Sequence, residues 1–142
     1  YNISEVTRLK KICSDFNLLE KVHFIGSINR SDLKYYYNSS DICVLPSYYE
    51  SFGLSALEAA ACGVPVVASK KGGLSSIVID KKTGYLLQWR CPGPFVEKLE
   101  ILLKSKDLRK SMGENARQHA EKLNWGDSIN SLKQLFNKLT SN

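Results

Sequence analysis

Three short runs, Ile42 to Leu45, Val64 to Ala68 and Tyr85 to Leu87, are apolar almost without interruption and show no alternation with polar residues. A strand wetted on one face alternates; an unbroken run of this length belongs to a strand covered on both faces. Segments of helical period lie between the runs and after them. Strands of this kind alternating with helices predict an α/β fold, a Rossmann-like parallel sheet with helices on both faces. A fourth strand candidate, Lys21-Val22-His23-Phe24-Ile25-Gly26, precedes the three and ends at a glycine.

The helical segments have recognisable starts. Val6, Leu9, Ile12, Cys13 and Phe16 fall at helical spacing behind Ser4, the expected N-cap. Arg30 to Asp41 reads as about two turns capped near Ser31. Lys71 to Asp80 is a glycine turn into a short helix. From Pro94 onward the period is helical almost to the end. With no repeat, low-complexity stretch or linker in view, residues 1–142 read as one domain with a helical tail over about 94–142.

Composition limits the partners. The 142 residues are 43% hydrophobic and 24% charged, enough for a real core. Twenty basic against 14 acidic residues give a formal charge of +6, which favours nucleotides, nucleic acid or an acidic membrane surface, and equally a plain basic exterior. Cys13, Cys43, Cys62 and Cys91 form no CxxC and have no histidine pair nearby, so neither a metal site nor a disulfide framework is expected. Cys43 and Cys62, in apolar runs, read as core residues. Asn-x-Ser triplets begin at Asn2, Asn29 and Asn38, but no secretory signal accompanies them. No apolar run approaches the roughly 20 residues of a spanning helix. A cytoplasmic setting, with peripheral membrane contact open to the basic surface, is the expectation.

In parallel α/β sheets, ligands bind beyond the carboxyl ends of the strands, where loops enter helices. Three loops should lie there side by side: Gly26 to Asn29, Ser47 to Leu54 and Lys70 to Leu74. The middle loop leads through Glu50-Ser51-Phe52-Gly53-Leu54 to Glu58. A helix starting near Gly53 leaves the N–H groups of Phe52, Gly53 and Leu54 free for a phosphate, and glycine permits close approach. Glu50 stands just before that point, and Glu58 about 7 Å further along at ~1.5 Å rise per residue. Two carboxylates flanking an anion site suit a ligand with hydroxyls at both ends of a diphosphate, as a nucleoside-diphosphate sugar has. The small residues Ala59, Ala60, Ala61 and Cys62 let the helix pack closely. A plainer alternative makes Glu50 a charge complementing the helix dipole and Glu58 an exposed helix residue, and spacing alone favours it.

The wording of residues 46–87, PSYYESFGLSALEAAACGVPVVASKKGGLSSIVIDKKTGYLL, shifts that balance. It resembles the C-terminal nucleotide-binding domain of retaining GT-B glycosyltransferases of family 4, the group 1 type, and the likeness runs from about Leu9 to Phe136. Its centre is the family's E-x7-E motif, matched by Glu50 and Glu58. The G-x-P-V-V strand entry at Gly63 to Val67 and the double glycine Gly72-Gly73 follow. The wording is most similar to the branch that holds inositol-phosphate N-acetylglucosaminyltransferases and sucrose-phosphate synthases.

The resemblance implies retaining transfer of a sugar from a UDP- or GDP-sugar to an acceptor hydroxyl, without cofactor or metal. Glu50 would be the catalytic residue at the donor sugar and Glu58 the ligand of the ribose hydroxyls. The backbone of Phe52, Gly53 and Leu54 would face the phosphates, Ser27, Ile28 and Asn29 would receive the base, and Gly72 and Gly73 would lie near the site. The chain has no Asp-x-Asp pair. The acceptor domain and the first strands of the donor domain would precede Tyr1, so the chain reads as the latter part of a longer enzyme, inactive alone. Two departures stand out: Ser76 occupies a position usually held by glutamate, and the family's phosphate-binding Arg and Lys would also precede Tyr1. Arg30 and Lys34 have a similar spacing but follow the wrong strand and are given no role.

The remaining candidates have simpler readings. His23 is expected as a hydrogen-bonded strand residue and His119 on a helix surface. Tyr35, Tyr36 and Tyr37 either stack on a base or dock their helix on the core, the commoner case. Trp89 and Trp125 are expected in packing. Two rival functions remain: a non-catalytic nucleotide-sugar-binding module, and a nucleic-acid-binding domain motivated by the charge and by Lys70-Lys71 and Lys81-Lys82, for which no motif speaks.

Overall fold

The apolar runs become three parallel strands, β1 (Cys43–Leu45), β2 (Val66–Ser69) and β3 (Gly84–Leu87), hydrogen-bonded in that order. Register sets Cys43 opposite Val66 and Leu45 opposite Ala68, then Val66 opposite Gly84 and Ser69 opposite Leu87. The computed structural model describes residues 3–88 and 91–140, so Trp89 lies outside the described residues. The chain, read above as one domain, divides into two compact units, Tyr1–Arg30 and Ser31–Asn142.

The first unit holds α1 (Ile3–Asp15), which ends where Asn17 takes a left-handed φ of 54°. Ser4 lies inside this helix and is not its N-cap. Within the helix, Arg8 pairs with Glu5 across one turn. Residues 22–29 are irregular, so the strand expected over 21–26 does not form and His23 is not on a strand. An extended segment becomes a strand only against a partner, and the described residues of this unit contain no other extended segment in a ladder.

In the second unit the helices are α2 (Leu33–Asn38), α3 (Leu54–Ala61), α4 (Leu74–Ile77), α5 (Pro92–Lys104), α6 (Lys106–Glu121) and α7 (Trp125–Thr140). The two-residue period of β2 sorts them. Val66 and Ala68 join Ala56 and Ala59 of α3, Leu74 and Ile77 of α4, and Val64 and Val78 in one core. Val67 turns the other way, into a second core with Tyr85, Phe95 and Leu102 of α5 and Met112 of α6. Helices therefore cover both faces, and all four residues of β2 are buried, as an unalternating run requires. Ala60 packs separately against Ala116 and Ala120, so α3 touches the sheet with one row of small residues and α6 with another.

Caps explain several boundaries. Asp32, not Ser31, is the N-cap of α2, and it makes no side-chain cap bond; Ser31 Oγ instead donates to Asp32 Oδ1 at 3.1 Å. Ser105 caps α6 by accepting from Leu108 N–H at 3.2 Å. Arg109 donates to the terminal carbonyls Leu102 O and Leu103 O of α5 and pairs with Asp41 at 3.2 Å, which fastens α5, α6 and the entry to β1 together. Helix α7 buries none of its residues, and Trp125, expected in packing, is 84% exposed.

Candidate functional site

Strands β1 and β2 are neighbours, so the loops leaving their carboxyl ends, 46–53 and 70–73, emerge side by side. They interlock. Gly73 N–H donates to Ser51 O at 3.2 Å, and Lys70 N–H donates to Leu87 O at 2.7 Å. A Cβ on Gly72, where φ is +47°, would overlap the carbonyl oxygen of Glu50; one on Gly73 would overlap that of Phe52. The double glycine thus allows one loop to lie directly on the backbone of the other. Only residues without a side chain permit that approach.

The loop after β1 turns into α3 at Gly53, the N-cap, with φ 93° and ψ 41°. This left-handed conformation is the first reason for glycine there. The second is packing: a Cβ on Gly53 would sit 3.0 Å from Leu74 Cδ2 and 3.2 Å from Ile77 Cδ1, inside the core. The expected reason, room for a phosphate, is corrected, because the missing side chain would point at α4.

Glu50 is half-buried, and its Oε1 accepts the Gly53 N–H at 3.0 Å. It therefore caps the helix start, which is the plainer role foreseen for it. The first helical bond runs from Leu57 N–H to Gly53 O at 3.0 Å, so the N–H groups of Leu54, Ser55 and Ala56 have no acceptor within the helix. The group of orphan donors lies one step later than the expected Phe52 to Leu54, because α3 begins at Leu54 and Glu50 already engages Gly53. The side chains of Phe52 and Leu54 are exposed and line a cavity of about 210 Å³ with Leu57, Leu123, Trp125 and Ser128.

Glu58 is not an exposed helix glutamate. It is half-buried, and its Oε2 accepts from Tyr37 Oη at 3.3 Å. Burial, and next the negative charge of Glu58, push the Tyr37 phenol up to about 12. Tyr37 packs on the core of α3 and α4, as expected of a docking aromatic, whereas Tyr35 and Tyr36 are exposed and line an open cavity of about 520 Å³ with Ser39 and Ser40. At about 100° per residue, three consecutive side chains fan over roughly 200° of a helix, so only one can face the core. Lys34 Nζ lies 5.0 Å from the centre of the Tyr35 ring.

At Ser76 the main chain is engaged from α6: His119 Nε2 lies 3.0 Å from Ser76 O, and this half-buried histidine ties α6 to α4. Sequence patterns gave no sign of either the Tyr37–Glu58 or the His119–Ser76 contact. The residues Ser27, Ile28 and Asn29 lie in irregular chain of the first unit, with Ile28 half-buried. All four cysteines are free, Cys43 and Cys62 packing against the core, and burial raises the Cys43 thiol to about 11. No group of three or more His, Cys, Asp or Glu suited to a metal occurs among the described residues. No described helix is long and apolar enough to cross a membrane.

A parallel sheet with helices on both faces, with a glycine-locked loop leading into a helix at its carboxyl edge, is the architecture of the C-terminal half of a GT-B glycosyltransferase. Residues 2–119 match the family model described as glycosyl transferases group 1. The chain belongs to that family. It is 39% identical over 136 residues to a D-inositol 3-phosphate glycosyltransferase of Corynebacterium jeikeium, covering 96% of this chain and 32% of that protein. Among solved structures it is similar to a sucrose-phosphate synthase from Thermosynechococcus elongatus, at 35% identity and a TM-score of 0.85, over 97% of this chain and 35% of the other. It also resembles Anabaena Alr3699/HepE in complex with UDP, at 25% identity and a TM-score of 0.81, over 96% of this chain and 37% of the other. The chain spans about a third of the length of these relatives.

Proposed function

We propose that this chain binds a nucleoside-diphosphate sugar and, within a longer enzyme, presents it for retaining transfer to an acceptor hydroxyl. The observation that carries the reading is the locked loop. Gly72 and Gly73 hold the Glu50 to Gly53 backbone beside a helix start whose orphan N–H groups include Leu54 and Ser55, with one carboxylate before that start and another in the second turn. A relative resolved with UDP supports the nucleotide part.

In this reading the diphosphate rests against the N-terminal end of α3, where backbone dipoles stabilise the charge that grows as the sugar departs. Glu50 meets hydroxyls of the donor sugar and supports the developing positive charge at the anomeric carbon. Glu58 accepts the ribose hydroxyls. The phosphates need no metal, and the acceptor binds to residues outside this chain. Cytoplasmic location, with peripheral membrane contact, completes the proposal.

Titration with UDP, with GDP and with a short DNA duplex tests it. The account expects one nucleotide to bind and the duplex to bind weakly or not at all. Duplex binding that weakens steeply with salt, with no response to either nucleotide, would overturn the reading in favour of a nucleic-acid-binding domain.

A further inference from the structure

Glu58 sits in the second turn of α3, one turn beyond Ser55, whose side chain also engages the Tyr37 hydroxyl, and its carboxylate takes a hydrogen bond from another helix. The restraint comes from α2. Tyr37 is the one tyrosine of its helix whose ring packs on the core, against a cluster that includes Ala56 and Ala59 on the same α3 that carries Glu58. Its hydroxyl reaches Glu58 Oε2 at 3.3 Å. The phenol is anchored by packing, not by chain flexibility, and so offers a donor at a fixed point. Burial and the adjacent carboxylate keep its proton in place far above neutral pH.

We infer that Tyr37 is a positioning residue for the ribose end of the site: its hydroxyl holds one oxygen of Glu58 and so orients the carboxylate for two ribose hydroxyls. The inference rests on the assignment of Glu58 to ribose made above. A carboxylate that must first select one rotamer binds a diol less tightly than one already oriented, because the ordering cost is met on binding. The hydrogen bond is long for an O–H donor to a carboxylate, and a bound diol that draws Glu58 into one orientation gives it reason to shorten.

Tyr37→Phe removes the hydroxyl and keeps the ring in the core. Calorimetric titration of the chain with UDP and with inorganic pyrophosphate, for the unaltered protein, Tyr37→Phe, Glu58→Ala and the double variant, is the test. The expected result is a UDP affinity roughly 3- to 10-fold weaker in Tyr37→Phe, less than a direct carboxylate contact would lose because Tyr37 acts only through Glu58, with pyrophosphate affinity unchanged. In the Glu58→Ala background the second substitution should cost nothing further, since its effect passes through the carboxylate. Equal losses for UDP and pyrophosphate would make Tyr37 merely structural and overturn the inference. Unchanged UDP affinity in Tyr37→Phe beside a clear loss in Glu58→Ala would overturn it while leaving the ribose assignment intact. If Glu58→Ala binds UDP normally, or the unaltered chain does not bind it, the ribose assignment fails and the inference with it.

Discussion

At Gly53 a single residue answers to two demands, a left-handed backbone and a core with no room for a methyl group. Gly53→Val should therefore destabilise the fold before it affects any ligand. The left-handed conformation costs about 1–2 kcal/mol and overpacking Leu74 and Ile77 adds about 1–3 kcal/mol. A urea titration would show the midpoint falling; a variant as stable as the original contradicts the packing account. Cys43 makes a second residue-scale prediction. With its thiol raised to about 11 by burial, its thiolate fraction at pH 8 is on the order of 100-fold below that of an ordinary exposed thiol, so iodoacetamide should modify exposed Cys91 long before Cys43. Mass-spectrometric mapping that finds Cys43 labelled as fast as Cys91 would refute this. The Glu50, Glu58 and double-glycine constellation was legible in the sequence because all of it lies within 24 residues. The Tyr37 contact was not, because Tyr37 and Glu58 are 21 positions apart on different helices and no local period links them.

Among elements, β2 was the most legible because a strand covered on both faces is mostly apolar, and all four of its residues are buried, Ser69 included, whereas β1 is apolar but leaves Val44 exposed. The run Val22 to Ile25, apolar but for His23, forms no strand and stays exposed. Apolar composition alone makes no ladder, which needs an edge to join. The short helix α2 shows a related limit, since three tyrosines in a row satisfy either a docking or a stacking reading until the helix fixes which one faces inward. The interlocked loops give the element-scale prediction. Gly72→Ala places a methyl group where the Glu50 carbonyl oxygen stands, so the β2–α4 loop must move away from the β1–α3 loop. UDP affinity should fall while β1 to β3 and the far-UV circular dichroism persist. Normal UDP affinity in that variant would show that the lock is irrelevant to binding.

For the whole molecule, the formal charge of +6 was plain from composition, yet charge alone did not separate a nucleotide from a nucleic acid; the proposed function takes the nucleotide. Two buried protons set an alkaline limit. Tyr37 rises from 10.0 to about 12 and Cys43 from 9.0 to about 11 on folding. Both groups are more firmly protonated when folded, so the stability they contribute is complete below about pH 9 and is lost as pH climbs through about 11 to 12. Thermal melts across that range should fall on the alkaline side. In a Cys43→Ala variant the fall should begin about one pH unit later, near the unfolded tyrosine value of 10.0.

The central claim is that Glu50 and Glu58 serve opposite ends of one ligand. Glutamine is the substitution of choice, because its carbonyl oxygen can still accept the Gly53 N–H that Glu50 now holds at 3.0 Å, so the start of α3 survives the change. Calorimetric titration of Glu50→Gln and Glu58→Gln with UDP, which carries a ribose but no donor sugar, separates the two ends. The account predicts a loss of about tenfold or more for Glu58→Gln, the scale of a charge-assisted hydrogen bond, and an affinity near that of the unaltered chain for Glu50→Gln. Equal loss in both variants would mean that the two carboxylates serve the same end or merely hold the loop together, and would contradict the account.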